Sequence, residues 1–373
     1  MLGNSFGRVF RVTTCGESYG GGLATIVDGV PPGLELTNGM IQEELDKRKP
    51  GQSKLDSPRK ETDKAEIFAG LLEGKTTGAP VGVIVYNVDT QKIHVDQYRQ
   101  VKDLIRPGHA EYTFFVKYGE YADWCGAGRA SGRETVGRVA GGAVAKQILL
   151  REGVEVIAYV KESCGIKARE MTFEEIKSNY RKNELNCPDL EAAERMMARI
   201  VEIRDEGDTS GGIVEIIARG VPSGLGEPVF DKLSATIAHG LMSIGAVKGV
   251  EFGAGFEVAR MKGSQCNDPP YLDGEKVRFR TNNAGGFLGG ITTGEDIVAR
   301  IAVKPTPTLS LDQDSVNMAT MQEARLSAIT RRDASICPRI YPVAEAMVRI
   351  AIVDALYMWR GWEGVSRLKK GWK

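Results

Sequence analysis

The chain of 373 residues carries 49 Lys plus Arg and 49 Asp plus Glu, so its formal net charge is zero, and 42% of its residues are hydrophobic. This balance excludes a global field that would recruit nucleic acid or a membrane surface, so any anion binding must come from local clusters. The six cysteines show no C-x-x-C spacing and indicate neither a zinc site nor a disulfide framework. With no apolar signal core at the N-terminus and no apolar run of about 18 residues, we expect a cytoplasmic protein with reduced thiols.

The first predicted elements are two strands, VFRVTT and LATIVDGV, joined by a glycine-rich turn that carries Tyr19. A helix follows, with Thr37 as its N-cap and Pro50 at its end. The basic segment 47–60 is typical of a solvated loop, but it could equally clamp an anion, and the sequence leaves both interpretations open. A buried strand is predicted at 81–89.

The stretch 104–145 holds one of the three histidines and ends in a helix start. Ser131 and Glu134 have the spacing of a capping box. Gly141 and Gly142 each cost about 1 kcal/mol against Ala inside a helix, so we expect another element to pack closely there. The apolar face of this helix consists of Val136, Val139, Ala140, Ala143, Val144 and Ile148.

The segment Gly126-Ala127-Gly128-Arg129 brings a guanidinium to the start of this helix. Free N–H groups, the positive end of the helix dipole and nearby arginines together attract an anion, most naturally a phosphate. The alternative is an ordinary capped core helix with solvated arginines, and local physics does not decide between the two.

After a strand VEVIAYV, residues 162–207 are rich in Glu, Arg and Lys and predict a peripheral helical excursion. The strand 211–221 returns to the core, and a helix capped by Asp231 follows. The predicted buried face of that helix consists of Leu233, Ile237 and Leu241.

An internal echo links the two halves of the chain. The hexapeptide GVPPGL at 29–34 is matched by GVPSGL at 220–225, and both follow an apolar strand and precede a helix. One short match is weak evidence of duplication, but it favours two related halves sharing one core, and hence a single domain over 1–373, rather than two unrelated domains.

The C-terminal part contains a glycine loop at 282–294, the rigid hydroxyl-rich loop KPTPT at 304–308 and the sequence RRD at 331–333. A C-terminal helix is predicted to open at Pro342. Its apolar face consists of Val343, Met347, Ile350, Val353 and Tyr357.

Several kinds of site are excluded by the motifs. The chain has no G-x-x-x-x-G-K-[ST], no dinucleotide fingerprint between a strand and a helix, and no G-x-S-x-G elbow. His94, His109 and His239 lack metal-ligand spacing, so we expect no metal site. Glycine-rich loops, dispersed arginines and few groups that titrate near neutrality suit a site that holds several anionic groups and transfers few protons.

Nine motifs in order, among them GNSFGRVFRVTTCGESYG, RPGHAEYT, GRASGRETVGRVAGGA, NAGGFLGGITTG and KPTPT, resemble those of the chorismate synthase family over almost the whole chain. The resemblance implies an α+β fold, a β-α-β sandwich with pseudo-symmetric halves, in a homotetramer. It also implies the anti-1,4-elimination of phosphate from 5-enolpyruvylshikimate 3-phosphate to give chorismate. The family uses reduced FMN without net redox change, and NADPH only where the enzyme reduces its own flavin.

The resemblance also assigns roles to individual residues. His109 matches the histidine that exchanges a proton with the flavin, and Asp333 matches the aspartate that helps to remove the substrate proton by way of the flavin. The positions that match flavin-binding residues are Arg129, Ala130, Ser131, Gly245, Ala246, Gly289, Lys304, Pro305, Thr306, Pro307, Thr308 and Arg331. The basic positions associated with the substrate phosphate or NADPH are Arg48, Lys54, Arg106 and Arg133.

The chain departs from the family where Tyr19 replaces the histidine of Gly-Glu-Ser-His-Gly, which protonates the departing phosphate. A tyrosine has an ordinary pKa of about 10 against about 6.5 for histidine, so Tyr19 is a poorer acid near neutrality and slower turnover is expected. The alternative is a catalytically weak FMN- or ligand-binding relative, and a conventional flavin oxidoreductase is a third possibility. Smaller departures are Ala130, Gly245, Lys54 and Arg332.

Overall fold

The computed structural model describes residues 3–49, 51, 62–88, 92–327 and 333–365. The elements of its first part are β1 Ser5–Phe6, β2 Arg11–Gly16, β3 Gly22–Asp28, α1 Asn38–Arg48, β4 Ala65–Ala69, β5 Leu71–Leu72, β6 Lys75–Thr76, β7 Val81–Tyr86, α2 Lys92–Gln100, α3 Glu111–Tyr118 and α4 Thr135–Arg151. Short 3-10 turns cover Gly119–Tyr121, Cys125–Ala130 and Gly132–Glu134 between α3 and α4.

The second part begins at the strand predicted from VEVIAYV. Its elements are β8 Glu155–Ser163, β9 Ile166–Lys167, α5 Phe173–Asn179, α6 Leu190–Asp205, β10 Gly212–Arg219, α7 Leu233–Met242, β11 Val247–Phe252, the 3-10 turn Gly255–Arg260, α8 Gly263–Cys266, β12 Pro270–Asp273, β13 Lys276–Phe279, β14 Phe287–Leu288, β15 Ile291–Thr292, β16 Ile297–Val303, β17 Gln313–Asn317, β18 Gln322–Leu326 and α9 Cys337–Val365. None of the described helices is long and apolar enough to cross a bilayer.

Two five-stranded antiparallel sheets form the outer layers, and helices fill the space between them. The first sheet has the order β1-β2-β3-β7-β4 and the second the order β11-β16-β10-β8-β9. Helix α4 packs on the first sheet and α9 on the second, while α1 and α7 flank them and α4 lies directly against α9. The α+β sandwich expected from the sequence is therefore confirmed.

The two halves repeat the same topology in four of their five strands. Strands β8, β10, β16 and β11 of the second sheet correspond in sheet and chain order to β2, β3, β7 and β4 of the first. The edge strands differ, because β1 precedes β2 in the chain whereas β9 follows β8. In the first half the Thr76 hydroxyl accepts from the Leu34 N–H at 2.9 Å and donates to the Pro31 carbonyl at 2.6 Å. In the second half Thr292 does the same with residues 225 and 222, at 2.9 and 2.7 Å. The repeated hexapeptide thus marks a turn that the same two threonine hydrogen bonds stabilise in both halves.

The glycines of α4 are where neighbouring elements come closest. A Cβ on Gly142 would lie 2.3 Å from the Cβ of Ala346 in α9, and one on Gly141 would lie 2.8 Å from a methyl of Val12 in β2. Such separations are far inside van der Waals contact, so only a residue without a side chain fits. The close packing expected at Gly141 and Gly142 is confirmed.

Three predicted helix starts are corrected. Ser131 accepts from the Arg133 N–H at 3.3 Å and caps a 3-10 turn, while Glu134 pairs with Arg138 one turn later, so the predicted capping box does not form. Asp231 is not the cap of α7, because its carboxylate pairs with Arg8 at 2.5 Å.

The C-terminal helix begins at Cys337 and contains Pro342 in its interior, so its predicted start at Pro342 is also wrong. Pro338 lies in the first turn, where a proline removes no intrahelical hydrogen bond. Residues 340–356 of this helix are buried on every side, as the central helix of a sandwich must be.

The segment 162–207 contains α5 and α6. Phe173 and Ile176 of α5 cover Tyr159 on the outward face of the second sheet. The apolar residues that this segment adds to the main core are Ala168, Leu185, Cys187, Ala192, Ala193, Met196 and Ile200. The segment is therefore held by the same packing as the sheets, and the division of the chain into domains stays a prediction.

We expect Gly142→Ala to lower the free energy of unfolding by about 1–3 kcal/mol, since the added methyl overpacks the contact between α4 and α9. Gly39→Ala in α1 is the matched control, because a Cβ there would meet only the Thr37 hydroxyl, at 3.6 Å. Chemical denaturation of both variants measures the difference. Equal stability of Gly142→Ala and the unsubstituted protein would contradict the tight contact.

Candidate functional site

A cavity of about 1010 Å³ opens where the N-terminal ends of α4 and α9 meet. Its wall is built from residues 3–8 and β2, from the end of α7, and from the loops 106–110 and 304–308. The long connections that precede α4 and α9 thus converge on one space from positions about 200 residues apart in the chain.

The wall of this cavity is strongly cationic. Among the described residues, eight Lys or Arg side chains line it against four carboxylates. The cations are Arg8, Arg48, Arg106, Arg129, Arg138, Lys248, Lys304 and Arg339, and the acids are Glu134, Asp231, Asp333 and Asp354. In a chain without net charge, this excess concentrates a positive potential at one place and favours anionic ligands.

His109 lies between two of these cations. Its Nε2 is 3.0 Å from the Thr308 hydroxyl. Burial, assisted by the charges of Arg106 and Lys304, lowers the pKa of His109 from 6.5 to about 3. The imidazole is therefore neutral at physiological pH, and its proton affinity rises where a bound anion offsets the charges of Arg106 and Lys304.

The loops 106–110 and 304–308 are fastened to each other. The Lys304 Nζ donates to the Gly108 carbonyl at 2.6 Å, and a Cβ on Gly108 would lie 2.8 Å from Pro307. The Thr306 hydroxyl is buried in the wall without a hydrogen-bond partner among the described residues. A buried hydroxyl in this position is suited to meet a polar group of a ligand.

Arg129 is hydrogen-bonded to β2 and to the residue that precedes β1. Its Nη1 donates to the Gly16 carbonyl at 3.1 Å, and its Nη2 donates to the Asn4 side chain at 2.9 Å and to Thr14. Its neighbours Ala130 and Ser131 line the cavity at the entrance to α4. The predicted guanidinium at the helix start is present, and its orientation is fixed by the N-terminal strands.

A buried ion cluster lies behind the wall. Arg48 and Arg133 both pair with Asp63, whose side chain is fully buried. Burial alone would raise the pKa of Asp63, but the charges of Arg48 and Arg133 outweigh it and hold the pKa below its ordinary value. Of the two arginines, only Arg48 reaches the cavity.

Asp333 lines the cavity at the start of α9. Its carboxylate accepts from Arg339 Nη1 at 2.8 Å, and both side chains are largely buried. A carboxylate at this position can accept a proton, and its direction is set by Arg339.

Tyr19 packs beside the cavity rather than in its wall. Its ring lies 5.5 Å from that of Tyr98, edge to face, and a Cβ on Gly126 would lie 2.6 Å from it. Tyr98 does line the cavity and has the Arg106 guanidinium 5.4 Å from its ring centre. Arg106 also forms a short ion pair with Glu111.

The structure brings most of the candidate residues into one wall. Those that line the cavity are His109, Asp333, Arg129, Ala130, Ser131, Gly245, Ala246, Lys304, Thr306, Pro307, Thr308, Arg48 and Arg106. Tyr19 and Arg133 lie behind it, Pro305 and Gly289 are not part of it, and Lys54 and Arg331 lie outside the described residues.

Sequence reasoning missed Asp63, Asn87, Tyr98 and Arg339, which position the candidate residues. Arg339 follows Asp333 by six residues in the opening turn of α9, so its location could have been inferred from a correctly placed helix start. Asp63 gave no local signal, because its partners lie 15 and 70 residues away.

A two-sheet sandwich with a large cationic cavity, a neutral buried histidine and an oriented carboxylate defines an enzyme that acts on small anionic molecules. The family profile for chorismate synthase matches residues 10–357. A chorismate synthase of Acetivibrio thermocellus is 59% identical over 384 aligned positions and covers 98% of both chains. One of Methanococcoides burtonii is 52% identical, covering 95% of this chain and 96% of its own.

A crystal structure of a chorismate synthase superposes with a TM-score of 0.76 at 31% identity, covering 95% of this chain and 94% of that one. The chain therefore belongs to the chorismate synthase family, whose members are carbon–oxygen lyases acting on phosphate.

We expect the His109 imidazole of the ligand-free protein to remain neutral between pH 5 and 8, because its pKa is lowered to about 3. The folded pKa lies below the unfolded value of 6.5, so His109 contributes stability above pH 6.5 that is lost as the pH falls towards 3. NMR titration of labelled histidines, assigned with His109→Gln, measures this. A resonance that disappears in His109→Gln and titrates near pH 6.5 would contradict it.

Proposed function

We propose that the chain converts 5-enolpyruvylshikimate 3-phosphate into chorismate and phosphate by anti-1,4-elimination, with reduced FMN as cofactor and no net redox change. The observation that carries the proposal is the cationic cavity whose wall includes His109, Asp333 and Arg48. Such a site can bind the carboxylates and phosphates of a substrate and a cofactor while moving few protons.

The residues present fit a flavin mononucleotide. The cavity volume of about 1010 Å³ is at the upper end of small-molecule sites and leaves room for two ligands side by side. Donors for a phosphate and for ring heteroatoms are the buried Thr306 hydroxyl, which has no partner among the described residues, the fixed guanidinium of Arg129 and the start of α4. Reduced FMN would supply the electron-rich ring that the elimination requires.

The side chains of this chain would divide the remaining work. Arg48 and Arg106 neutralise the phosphate and carboxylates of the substrate, which makes phosphate a tolerable leaving group. His109 is neutral and is held in position by the Thr308 hydroxyl, so its imidazole would give or take a proton at the bound ligands. Asp333, oriented by Arg339, accepts the proton that the substrate loses.

Three further features belong to the proposal. A homotetramer is supported by the outward face of the first sheet. This face exposes Ile26, Phe68 and Tyr86, and a second copy of the chain would cover it. Light scattering measures the assembly.

NADPH is needed only if the protein reduces its own flavin. Replacing chemically reduced FMN by oxidised FMN plus NADPH in the assay decides this. A cytoplasmic location rests on the lack of cysteine pairs, since all six cysteines are free thiols.

The alternative is a relative that binds flavin and ligand but turns over weakly. Tyr19 favours it, because a phenol replaces the imidazole that would protonate the departing phosphate, and its ring is packed against Tyr98 beside the wall. Flavin binding does not separate the two functions, because both require it. Turnover does.

We expect the purified protein to form chorismate from 5-enolpyruvylshikimate 3-phosphate under anaerobic conditions with reduced FMN, and His109→Ala to lower kcat by about 10²–10⁴-fold. Absorbance of chorismate measures the rate, and oxidised FMN is the control that must give no product. If substrate and flavin bind and no chorismate appears, the weak relative is the correct interpretation.

We expect Tyr19→His to raise kcat by about tenfold near pH 7 and to add a titrating limb near the ordinary histidine pKa of about 6.5. Tyr271→His, which changes an exposed tyrosine in the β12–β13 hairpin outside the cavity wall, is the matched control. Rates and pH profiles identical to those of the unsubstituted protein would show that Tyr19 has no part in phosphate departure.

A further inference from the structure

Asp63 joins two arginines that come from distant parts of the chain. Its Oδ2 accepts from Arg48 Nη1 at 2.8 Å, and its Oδ1 forms a short bond with Arg133 Nη1. The carboxylate is fully buried, and both arginine side chains are at most 4% exposed. Two guanidinium groups this close repel each other, so a single buried carboxylate determines whether they can share the position.

Each arginine has a second anchor. Arg48 Nε donates to the Thr135 hydroxyl at 2.9 Å, which fixes it to the first turn of α4. Arg133 Nε donates to the Asn87 side chain at 3.0 Å. The amide of Asn87 in turn donates to the carbonyls of residues 17 and 20 at 2.9 and 2.8 Å, so it holds the turn that carries Tyr19.

The network continues to the other end of the cavity. The Arg48 carbonyl, at the end of α1, accepts from Arg339 Nε at 3.4 Å, and Arg339 holds Asp333. The bonds run without interruption from the Tyr19 turn through Asn87, the arginine pair and Arg339 to Asp333. Asp63 occupies the centre of this chain of bonds, behind the cavity wall.

The backbone at Asp63 is in an unusual conformation. Its φ is 45°, in the left-handed region that few residues other than glycine adopt. Such a conformation persists where surrounding contacts fix it, and it is concentrated at functional sites. Here it directs the carboxylate inward, between the two guanidinium groups.

We propose that Asp63 is a positioning residue for the anion of the substrate: without touching the ligand, its carboxylate holds Arg48 and Arg133 together and presents Arg48 to the cavity. This rests on the proposed function, in which Arg48 binds the substrate phosphate. Arg48 lines the cavity, and a guanidinium held in a fixed direction there is suited to bind a phosphate.

A merely structural Asp63 would affect stability alone, whereas a positioning residue affects substrate affinity. Asp63→Asn keeps the shape and removes the charge, and Asp63→Glu keeps the charge. Asp28→Asn, which removes the partner of Arg11 from an exposed ion pair, is the matched control. The readouts are KM and kcat for 5-enolpyruvylshikimate 3-phosphate, the Kd for reduced FMN, and thermal unfolding.

We expect Asp63→Asn to raise KM by about tenfold or more, with a fall in kcat of less than about threefold. The flavin Kd stays within about threefold, because Arg129 is anchored separately by Asn4 and Thr14. Asp63→Glu recovers at least part of the substrate affinity, and Asp28→Asn changes neither constant. A folded Asp63→Asn with unchanged KM overturns the proposal, whatever its melting temperature.

If Asp63→Asn does not fold, Thr135→Val and Asn87→Ala remove the outer anchors of the two arginines and are each expected to raise KM about threefold; unchanged KM in both overturns the proposal. If the unsubstituted protein forms no chorismate, the proposed function fails independently of Asp63. Calorimetry with inorganic phosphate then decides: about tenfold weaker binding to Asp63→Asn supports the positioning role, and equal binding overturns it.

Discussion

The structure depends on how closely α4 approaches its neighbours. Gly137 and Gly141 let β2 and β3 lie against the helix backbone, and Gly142 does the same for α9 on the opposite side. The backbone of α4 is therefore in direct contact with side chains of both halves of the molecule, because at these three positions the helix has no side chain of its own. Because the start of α4 forms part of the cavity wall, this packing also determines where the wall lies. The glycines reduce helix propensity, but the contact that they permit more than offsets that cost.

The duplication explains why the site lies where it does. The connections β7 to α4 and β16 to α9 are equivalent in the two halves, and both are long. The first carries Arg106 and His109, and the second carries Lys304 and Asp333. They meet over one cavity and bond to each other, by Lys304 to the Gly108 carbonyl and by the main chain of 105 to that of 316. The two halves therefore share one framework of sheet and helix, while their equivalent connections differ in sequence and contribute different residues to one cavity.

Local signals in the sequence predicted β2, β3, β7, β8 and β10 and the close packing of α4, and the resemblance to the family implied the α+β sandwich. Strands β4, β11 and β16 of the two sheets were not predicted. The sequence placed the starts of α4, α7 and α9 imperfectly. At α4 and α7, the predicted capping side chains form ion pairs instead: Glu134 pairs with Arg138, and Asp231 pairs with Arg8. Most of the candidate residues followed from motifs. Asp63 and Asn87 could not, because what makes them important is a set of bonds to residues that folding brings together.

Electrostatics unites these observations. Arg106 and Lys304 help to make the cavity attractive to anions, and the same two charges add to burial, the main cause, in lowering the pKa of His109. The same cations therefore have two effects: they attract anions, and they add to the burial that keeps the His109 imidazole unprotonated. An anion bound next to them offsets their charge at the imidazole and favours proton uptake by His109. Anion binding in the cavity and the proton affinity of His109 are thus linked by geometry, even though the chain as a whole carries no net charge.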